Sequence, residues 1–240
     1  MIDNRRVLAV VPARGGSKGL PGKNLRTIRG VPLVALAGHV ARRVTEIDRA
    51  VVSTDSPEIA RIAEQAGLSA PFVRPTEIAG DLIGDVDVLI HALLATEALD
   101  DCQYDIIVML QPTSPLRSAN DVRACIEMLA ANDAESVWSV SPSDKKYHPL
   151  KQLRVYGGRL SYYDSRGPTI IARQQLDDLY TRNGVAYVLS RACLVERRAL
   201  MGERAFACVT EFPQVSIDTA ADLAVAEQYA MERDETGASA

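Results

Sequence analysis

The first 130 residues alternate between short, continuously apolar runs and longer segments whose apolar residues recur at helical spacing. The apolar runs predict buried strands at residues 7–13, 50–53 and 105–110, with a shorter one near 71–73. The longer segments predict helices at 32–44, 56–66, 86–99 and, capped by Ser118 or Asn120, up to residue 131. This alternation predicts a doubly wound, mostly parallel α/β sheet, in which ligands bind at the carboxyl ends of the strands.

The pattern changes between residues 141 and 181. Residues 153–156 and 159–163 flank a Gly157-Gly158 pair, which predicts a β-hairpin with a two-residue turn. The sheet pattern resumes at residues 184–189, and residues 222–231 predict a final helix. We therefore predict a core of residues 1–140 and 182–232, a small hairpin-containing insert at 141–181 that serves as a lid or a subunit contact, and a frayed tail at 233–240.

The charge composition limits the possible partners. A net charge of −4 argues against a broadly basic nucleic-acid-binding surface, so any phosphate site must concentrate Lys and Arg locally. The apolar run at residues 7–11 is too short for a signal peptide or a membrane span. The four cysteines form no CxxC pair, which favours reduced thiols over a disulfide or a zinc site. We expect a cytoplasmic protein with no nucleic-acid or membrane partner.

Positive charge is concentrated directly after the first predicted strand, in the glycine-rich loop RGGSKGLPGKN at residues 14–24. Glycines let a backbone approach a ligand closely, while Arg and Lys neutralise phosphate charge. The loop is not a P-loop, because Ser17 replaces the first glycine and Asn24 replaces the Ser or Thr. It is not a dinucleotide fingerprint either, since no glycine lies two residues after Gly15. A phosphate site of another kind is favoured over a solvated basic loop.

Further motifs follow this loop along the chain. They are VSTD at residues 52–55, Arg74-Pro75 with Asp81, LQPTSPLR at 110–117, Arg173-Gln174-Gln175, Asn183-Gly184 with Tyr187, and SIDT at 216–219. Taken in order over residues 7–230, this set closely resembles the motifs of the CMP-sialic acid synthetases (N-acylneuraminate cytidylyltransferases). The glycine-rich loop and LQPTSPLR are its most specific members.

The resemblance implies that the anomeric hydroxyl of a sugar acid attacks the α-phosphorus of CTP and that pyrophosphate leaves. Such a transfer is catalysed chiefly by positioning and by electrostatic stabilisation of phosphate oxygens. The implied catalytic residues are Arg14, Lys23 and Asp218, with Lys23 assigned to the charge that grows during transfer. The implied nucleotide-binding residues are Arg14, Gly15, Ser17, Lys18, Lys23, Asn24 and Arg74.

The implied sugar-acid site consists of Gln111, Ser114, Lys151, Arg173, Asn183 and Tyr187. A sugar carboxylate needs a cationic partner, and the planar guanidinium of Arg173 suits it better than Lys151 does. Alternatives stay open: the Pro-Thr-Ser-Pro run at 112–115 would form a rigid turn in any protein, and Tyr187 would equally be core packing. Arg117 is a site residue or a solvated residue beside a helix N-cap, and Arg182 is interpreted as solvated surface charge.

Mg²⁺ is the cofactor that the resemblance implies, bound by Asp218 together with phosphate oxygens. The family motif usually has two aspartates separated by one residue, whereas Ser216 occupies the first position here. The metal site is therefore expected to be weaker or more dependent on the nucleotide. Asp222 fits a helix N-terminus better than a metal site. Asp85 is a second departure, an acid where some relatives have a small hydroxyl residue near the base and ribose.

Three functional hypotheses follow. The favoured one is CMP transfer from CTP to a nonulosonic, sialic-acid-like sugar acid. The second is CTP-dependent activation of another keto-deoxy sugar acid, and the third, motivated by Ser216, is a nucleotide-binding homologue with weakened catalysis. A homodimer is expected by resemblance. Among the histidines, His39 and His91 are expected to be buried and structural, and His148 is a candidate for lining the sugar site.

Overall fold

A computed structural model describes residues 1–235 and contains a six-stranded central sheet. The strands are β1 (Val7–Pro12), β2 (Thr27–Ile28), β3 (Val31–Pro32), β4 (Arg49–Ser53), β5 (Ile106–Met109), β6 (Ser136–Pro142), β7 (Leu153–Tyr156), β8 (Arg159–Tyr162), β9 (Tyr180–Ser190) and β10 (Ala205–Val209). The helices are α1 (Leu33–Ala41), α2 (Pro57–Gln65), α3 (Asp85–Asp100), α4 (Ala119–Ala131), α5 (Arg191–Val195) and α6 (Ala220–Glu235).

The sheet order is β10-β6-β9-β5-β1-β4. Strand β9 runs antiparallel to both of its neighbours, and the other neighbouring pairs are parallel. The mostly parallel α/β sheet predicted from the sequence is confirmed. Because β1 lies between β5 and the edge strand β4, the glycine-rich loop that follows it emerges at the sheet's carboxyl edge beside the segments that follow those two strands.

Helices cover both faces of the sheet, as the continuous apolar strands require. Along β1 the side chains alternate: Val7, Ala9 and Val11 pack with α1, α2 and α4, whereas Leu8 and Val10 pack with α3 and α5. All five of these β1 residues are completely buried. The arrangement is the doubly wound layering expected from the alternating sequence.

Several helix ends follow from capping residues visible in the sequence. The Ser56 side chain accepts from the Ile59 N–H, and Pro57 is the first residue of α2. At the start of α4, Ser118 and Asp121 form a reciprocal capping box. Ser118 rather than Asn120 is therefore the cap.

Some elements differ from the sequence-based expectation. The strand predicted near residues 71–73 is wrong: this stretch is irregular, and the preceding segment forms only an isolated bridge between Val51 and Ser69. Strand β10, the short helix α5 and the β2–β3 pair were not predicted. His39 is exposed, because it lies on the outer side of α1, so its expected burial is wrong.

The final helix is longer than predicted, since α6 runs from Ala220 to Glu235. Part of the tail predicted at 233–240 is thus helical, and residues 236–240 lie outside the described part of the chain. Within residues 1–235, no helix has the length and apolar character needed to cross a membrane.

The insert leaves the sheet where β6 and β9 stop pairing, at Pro142 and Tyr180. It contains the predicted hairpin, β7–β8, whose turn residues Gly157 and Gly158 both have positive φ, as a two-residue type I′ turn requires. Every residue of β7 and β8 is exposed. Their exposed side chains include large apolar ones: Leu153, Val155, Tyr156, Leu160 and Tyr162.

Candidate active site

The segments that follow β1 and β5, together with residues 74–88 at and before the start of α3, enclose a cavity of about 270 Å³ at the carboxyl edge of the sheet. We call it the loop cavity; its polar lining includes Arg14, Lys18, Lys23, Arg74, Asp85 and Gln111. The cavity lies where a doubly wound sheet is expected to bind ligands, and both the glycine-rich loop and the LQPTSPLR segment line it. Asp55, at the end of the VSTD motif, does not line the cavity and instead accepts a hydrogen bond from the loop.

Each cation of the glycine-rich loop contacts a carboxylate. Asp81 accepts from Arg14 Nη1 at 2.5 Å and lies 2.5 Å from Lys18 Nζ. Lys23 Nζ donates to Asp218 Oδ1 at 2.7 Å. Hydrogen bonds from Lys18 and Arg14 hold the pKa of Asp81 below its usual value. Five charged groups, two of which are 195 residues apart in sequence, thus pair with one another around the glycine-rich loop.

Other contacts fix the backbone of the glycine-rich loop. The Gly15 N–H donates to Asp55 Oδ1 at 2.7 Å, and Asn24 Nδ2 donates to the Arg14 carbonyl at 2.9 Å. A Cβ on Gly15 would lie 3.2 Å from Ser56 Cβ, so the close approach of the loop to α2 favours glycine here. Ser17 also lines the loop cavity. The structure therefore places all seven predicted nucleotide-binding residues, Arg74 included, in or directly behind this cavity.

Arg74 lines the loop cavity and is only 5% exposed. Its Nε donates to Ser53 Oγ at 3.0 Å and its Nη2 donates to the Ser53 carbonyl at 2.5 Å. Burial lowers the pKa of Arg74, and the negative charge of Asp55 counters part of that effect. These two hydrogen bonds to Ser53, the last residue of β4, fix the orientation of the guanidinium.

Asp85 is the first residue of α3 and lines the same cavity. Burial raises the pKa of this carboxyl, and the charges of Arg182 and Arg74 act in the opposite direction. Neighbouring walls are apolar, formed by Ile83 and Val88. Asp85 forms no hydrogen bond or ion pair with the described residues 1–235.

The LQPTSPLR segment is held against β9 by side chains of its own. Ser114 is fully buried and donates from Oγ to the Asn183 carbonyl at 2.7 Å. Gly184 has φ +70°, and a Cβ there would lie 2.5 Å from Ser114 Oγ. Gly184 is therefore required by this close approach. Gln111 lines the loop cavity, whereas Ser114 is a structural contact behind it.

Arg117 joins the same two segments. It is 4% exposed and donates from Nε to the Val185 carbonyl at 2.9 Å and from Nη2 to the Gly184 carbonyl at 3.1 Å, as well as to the Gln111 carbonyl. The interpretation of Arg117 as a solvated residue is wrong. Burial lowers its pKa to about 9, so the group remains a cation at neutral pH.

A second cavity of about 570 Å³ lies between the base of the insert and the segment before α6. We call it the insert cavity; its lining includes Tyr147, His148, Arg182, Asn183, Gln214 and Ser216. The Asn183 side chain is held by neighbours: its Nδ2 donates to Thr210 Oγ1 at 2.9 Å and its Oδ1 accepts from Ser139 Oγ at 2.6 Å. Arg182 forms no ion pair with any residue of the described chain.

The remaining predicted sugar-site residues lie elsewhere. Lys151 and Arg173 line a third cavity within the insert, and Arg173 Nη2 pairs with Asp144 Oδ1 at 2.9 Å. Tyr187 is 4% exposed in the core, with its ring centroid 4.9 Å from that of Trp138. The structure thus brings Gln111 to the loop cavity and Asn183 to the insert cavity, and it does not bring Lys151, Arg173 or Tyr187 to either.

The sequence matches the model of one protein family over residues 8–232, and that family is described as cytidylyltransferase. The chain belongs to the cytidylyltransferase family. It is accordingly a CTP-dependent nucleotidyltransferase. The suspected resemblance to the CMP-sialic acid synthetases is confirmed, because relatives of that kind match most of the chain.

Two relatives illustrate the match of this cytidylyltransferase. CMP-N,N′-diacetyllegionaminic acid synthase of Legionella pneumophila is 32% identical over 225 residues, covering 93% of this chain and 95% of that protein. Pseudaminic acid cytidylyltransferase of Campylobacter jejuni is 28% identical over 194 residues, covering 79% and 81%. Both alignments cover most of the chain rather than a single motif.

Solved structures share the fold of this cytidylyltransferase. A CMP:2-keto-3-deoxy-manno-octonic acid synthetase complexed with CTP superimposes with a TM-score of 0.66 at 20% identity, over 96% of this chain and 99% of that one. A 4-diphosphocytidyl-2C-methyl-D-erythritol synthase from Anaerococcus prevotii gives a TM-score of 0.65 at 16% identity, over 95% and 100%. The doubly wound sheet is therefore the nucleotidyltransferase fold.

Metal-binding groups are sparse in this cytidylyltransferase. Residues 1–235 contain no cluster of three His, Cys, Asp or Glu side chains that could hold an ion. Asp222 accepts from the N–H groups of Asp218 and Thr219 and so caps α6, as expected. Asp218 and Ser216 are both exposed on either side of the buried Ile217. Asp218 is the carboxylate that opens toward the glycine-rich loop.

Sequence reasoning missed two polar residues of this cytidylyltransferase that line the cavities. Asp85 was predicted only as a departure from the family pattern. Arg182 is exposed, as its interpretation as surface charge predicts, but it also lines the insert cavity. Arg182 lies directly before Asn183-Gly184, in the part of β9 where the strand bulges. Trp138 of β6 pairs with Tyr187 of β9, but Val140 of β6, two residues further on, pairs with Arg182. Bulges redirect side chains beside functional sites.

Proposed function

We propose that this cytidylyltransferase transfers CMP from CTP to the anomeric hydroxyl of a nonulosonic, sialic-acid-like sugar acid. The observation that carries the proposal is the convergence of Arg14, Lys18 and Lys23 on one cavity at the carboxyl edge of the sheet. The relatives named above, whose products are CMP-legionaminic acid and CMP-pseudaminic acid by name, support this class of acceptor. Attack forms the bond from the sugar oxygen to the α-phosphorus and releases pyrophosphate and one proton.

The glycine-rich loop supplies the electrostatic part of this reaction. Arg14 and Lys18 now share Asp81, and Lys23 pairs with Asp218. A triphosphate entering the loop cavity brings stronger acceptors for the same donors, so the cations exchange their carboxylates for phosphate oxygens. The side chain of Lys23 is 16% exposed, whereas that of Lys18 is 85% exposed. Its charge is therefore the less screened and the more effective on the transferring phosphate.

The part of the loop cavity lined by Arg74, Ile83 and Val88 suits the nucleoside. Arg74 is fixed by Ser53 and presents a guanidinium edge, a donor that matches the acceptors of cytosine. Ile83 and Val88 give the apolar wall that a base ring needs. Asn24, whose side chain secures the Arg14 carbonyl, keeps the loop in register with that wall.

The acceptor acid is assigned to the space between Gln111 and the insert cavity. Gln111 lines the loop cavity, and Asn183 and Ser216 line the insert cavity. Gln111 lies near the start of β9, because Arg117 donates to the carbonyls of both Gln111 and Gly184. The carboxylate of the acid requires a cation. Arg182 is available in the insert cavity, whereas Arg173 is paired with Asp144. We therefore propose Arg182 as the carboxylate partner provided by this chain.

Mg²⁺ is proposed as the cofactor. The side chains fit an ion held mainly by phosphate oxygens, because one exposed carboxylate, Asp218, stands beside Lys23 at the mouth of the loop cavity. Asp218 would hold the ion, which when bound neutralises triphosphate charge. Ser216 adds no charge to this set. The chain's own cations therefore have a larger share of the electrostatic work.

A homodimer is proposed as the functional unit. The exposed apolar side chains of the β7–β8 hairpin, together with Ile171 at 93% exposure, form a surface that a subunit contact would cover. Sedimentation at micromolar concentration is expected to give twice the monomer mass, and a monomer would contradict this part. The proposed compartment is the cytoplasm, where the four free cysteines stay reduced.

The function is tested by pyrophosphate release from CTP and Mg²⁺ with a panel of sugar acids. The panel contains N-acetylneuraminic, legionaminic and pseudaminic acids and an eight-carbon keto-deoxy acid. Release with at least one nine-carbon acid, and none when UTP replaces CTP, supports the proposal. Preference for the eight-carbon acid supports the second hypothesis instead. CTP binding without turnover on any acid supports a weakened homologue and contradicts the proposal.

A further inference from the structure

Asp81 lies in a short segment directly before α3, at residues 80–84, which we call the strap. None of these five residues is buried. Residues 80–83 make one backbone hydrogen bond among themselves, from the Ile83 N–H to the Gly80 carbonyl at 3.5 Å. Within residues 1–235, their other hydrogen bonds and ion pairs are those of the Asp81 side chain. A segment with so few buried groups and backbone hydrogen bonds opens at a low cost in free energy.

The carboxylate of Asp81 holds the strap against the glycine-rich loop. Its two oxygens contact two different cations: Oδ1 accepts from Arg14 Nη1 at 2.5 Å, and Oδ2 lies 2.5 Å from Lys18 Nζ. A phosphate group is held in the same way, with its oxygens on charged donors. In the free enzyme, Asp81 therefore occupies two of the cations that the proposed function assigns to the triphosphate.

The strap also carries part of the proposed nucleoside site. Ile83 lines the loop cavity and belongs to the apolar wall assigned to the base. Only one residue separates Ile83 from Asp81, so a movement of Asp81 away from its cations moves Ile83 as well. The backbone of the strap thus links the phosphate cations to the wall of the nucleoside site.

We propose that Asp81 is an internal anion that competes with phosphate ligands and couples their binding to the nucleoside site. Phosphate oxygens displace Asp81 from Arg14 and Lys18, the strap is released, and Ile83 packs on the cytosine ring. When pyrophosphate leaves, Asp81 pairs with both cations again and so shortens the residence of pyrophosphate. This inference rests on the proposed function and adds to it a residue that determines how tightly phosphate ligands are held.

Pyrophosphate is the probe, because it binds the cations without turnover and contains no base. Asp81→Asn keeps the size of the side chain and removes its charge. The variant is expected to lower the Kd of pyrophosphate by roughly 5- to 20-fold, since the ligand no longer displaces two partly exposed ion pairs. Calorimetric titration at fixed ionic strength and fixed free Mg²⁺ measures the Kd. Product inhibition by pyrophosphate is expected to strengthen by a similar factor.

The loss of any negative charge near a phosphate site strengthens anion binding, so two comparisons isolate the ion pairs. Asp85→Asn removes a charge from the same cavity without touching Arg14 or Lys18, and it is expected to change the Kd less than about threefold. The second comparison is Asp81→Asn in an Arg14→Gln background. The side chain of Arg14 is 29% exposed against 85% for Lys18, so its pair is the less screened one. Without Arg14, the effect of Asp81→Asn is expected to shrink to less than about threefold.

Release of the strap is observed at the Ile83 methyl group by NMR of isoleucine-labelled enzyme. Pyrophosphate is expected to shift the Ile83 signal of the wild type, and ligand-free Asp81→Asn is expected to show that shift already. Ile126, which is fully buried on α4, is the reference. Pyrophosphate is also expected to lower the Kd of cytidine by roughly 3- to 10-fold in the wild type and by less than about twofold in Asp81→Asn.

Three results would overturn the role of Asp81. The Kd of pyrophosphate is unchanged or higher in Asp81→Asn, or it falls equally with and without Arg14, or neither the Ile83 signal nor the affinity for cytidine responds to pyrophosphate. Asp81→Glu, which keeps the charge, is expected to retain the wild-type Kd within about threefold, and a fall as large as that of Asp81→Asn would also contradict the pairing. Absence of turnover by the wild-type enzyme on every acid contradicts the proposed function, whereas the pyrophosphate titrations need no acceptor and decide the role of Asp81 separately.

Discussion

Lys23 and Asp218 are 195 residues apart in sequence, yet Lys23 Nζ lies 2.7 Å from Asp218 Oδ1. The contact joins the glycine-rich loop to the segment before α6 and pairs the proposed phosphate cation with the proposed metal ligand. Asp218 is 72% exposed in its side chain, so solvent weakens this pair and a triphosphate can displace it. In the free enzyme, the pairing of Lys23 with Asp218 therefore competes with the pairing of Lys23 with substrate phosphate.

Replacing Lys23 by Met is expected to lower kcat by roughly 100-fold or more with a smaller change in the KM for CTP. The reason is that the lysine acts on charge that increases during transfer. Steady-state kinetics with saturating acceptor measure this effect. Lys146→Met, at an exposed lysine of the insert, is the control and is expected to stay within about twofold. A pure KM effect would assign Lys23 to ground-state binding only.

Asp218→Asn is expected to raise the free Mg²⁺ concentration needed for half-maximal activity, because one of the few available carboxylates is lost. Ser216→Asp is expected to lower it, since it restores the second acid of the family pattern. Initial rates are measured against free Mg²⁺ at fixed CTP. If both variants keep the wild-type dependence, the protein contributes no ligand to the ion.

Arg182→Ala is expected to raise the KM for the acceptor acid by roughly 10- to 100-fold while the KM for CTP changes little. Arg173→Ala is the comparison, since Arg173 is paired with Asp144 in the single chain. If Arg173→Ala gives the larger effect, the carboxylate partner comes from the insert. Mixing the inactive Arg173 variant with a Lys23 variant would then test whether that arginine acts across a dimer.

Asp85→Asn is expected to stabilise the protein at pH 7 and not at about pH 3.5. Burial raises the pKa of Asp85 in the folded state, so the folded protein holds the proton more tightly than the unfolded chain. The pKa of Asp85 in the unfolded chain is about 3.9. As pH rises from there to the higher pKa of the folded state, ionisation of Asp85 lowers the free energy of unfolding, and above that pKa the loss is constant. Urea unfolding at both pH values measures the difference. Equal stability of variant and wild type at pH 7 would contradict the sign.

Arg117→Met is expected to lower the free energy of unfolding by about 3 kcal/mol, because three buried carbonyls lose a charged donor. The loss also loosens Gln111 and Gly184, so activity should fall with stability. Chemical denaturation measures the change. Arg61→Met, on the exposed side of α2, is the control and is expected to remain within about 0.5 kcal/mol.

The central elements could be predicted because their signals are local. Runs such as Val7–Pro12 are buried on both faces and so are apolar throughout, and Ser56, Pro57 and Ser118 mark helix starts by their own hydrogen-bonding chemistry. Strand β10 was missed although Ala205–Val209 is apolar throughout, because the periodicity of so short an apolar run does not tell a strand from a helix segment. The stretch at 71–73 was misread because apolar residues next to Pro71 occur in loops as well as strands.

Some site residues could be predicted and others could not, again because only some of them have a local signal in the sequence. The types and spacing of the glycines and cations at residues 14–24 predict phosphate binding. This prediction does not depend on which acidic residues of other segments lie beside the loop. His39 and His148 show the limit: both are single histidines in mixed surroundings, and only packing makes one exposed and the other buried with an unpaired Nε2. Sequence spacing cannot tell these two environments apart.

The sequence alone determined the doubly wound class, the hairpin of the insert and the family of the chain, since each depends on residue type and local order. The phosphate role of the glycine-rich loop stays a prediction from its composition. Tertiary structure decided which acids meet which cations, that Arg117 and Ser114 are buried supports, and that Arg182, His148 and Gln214 share one cavity. Those facts depend on contacts between segments far apart along the chain, and the free energy of such contacts is set by burial and distance, which no local pattern encodes.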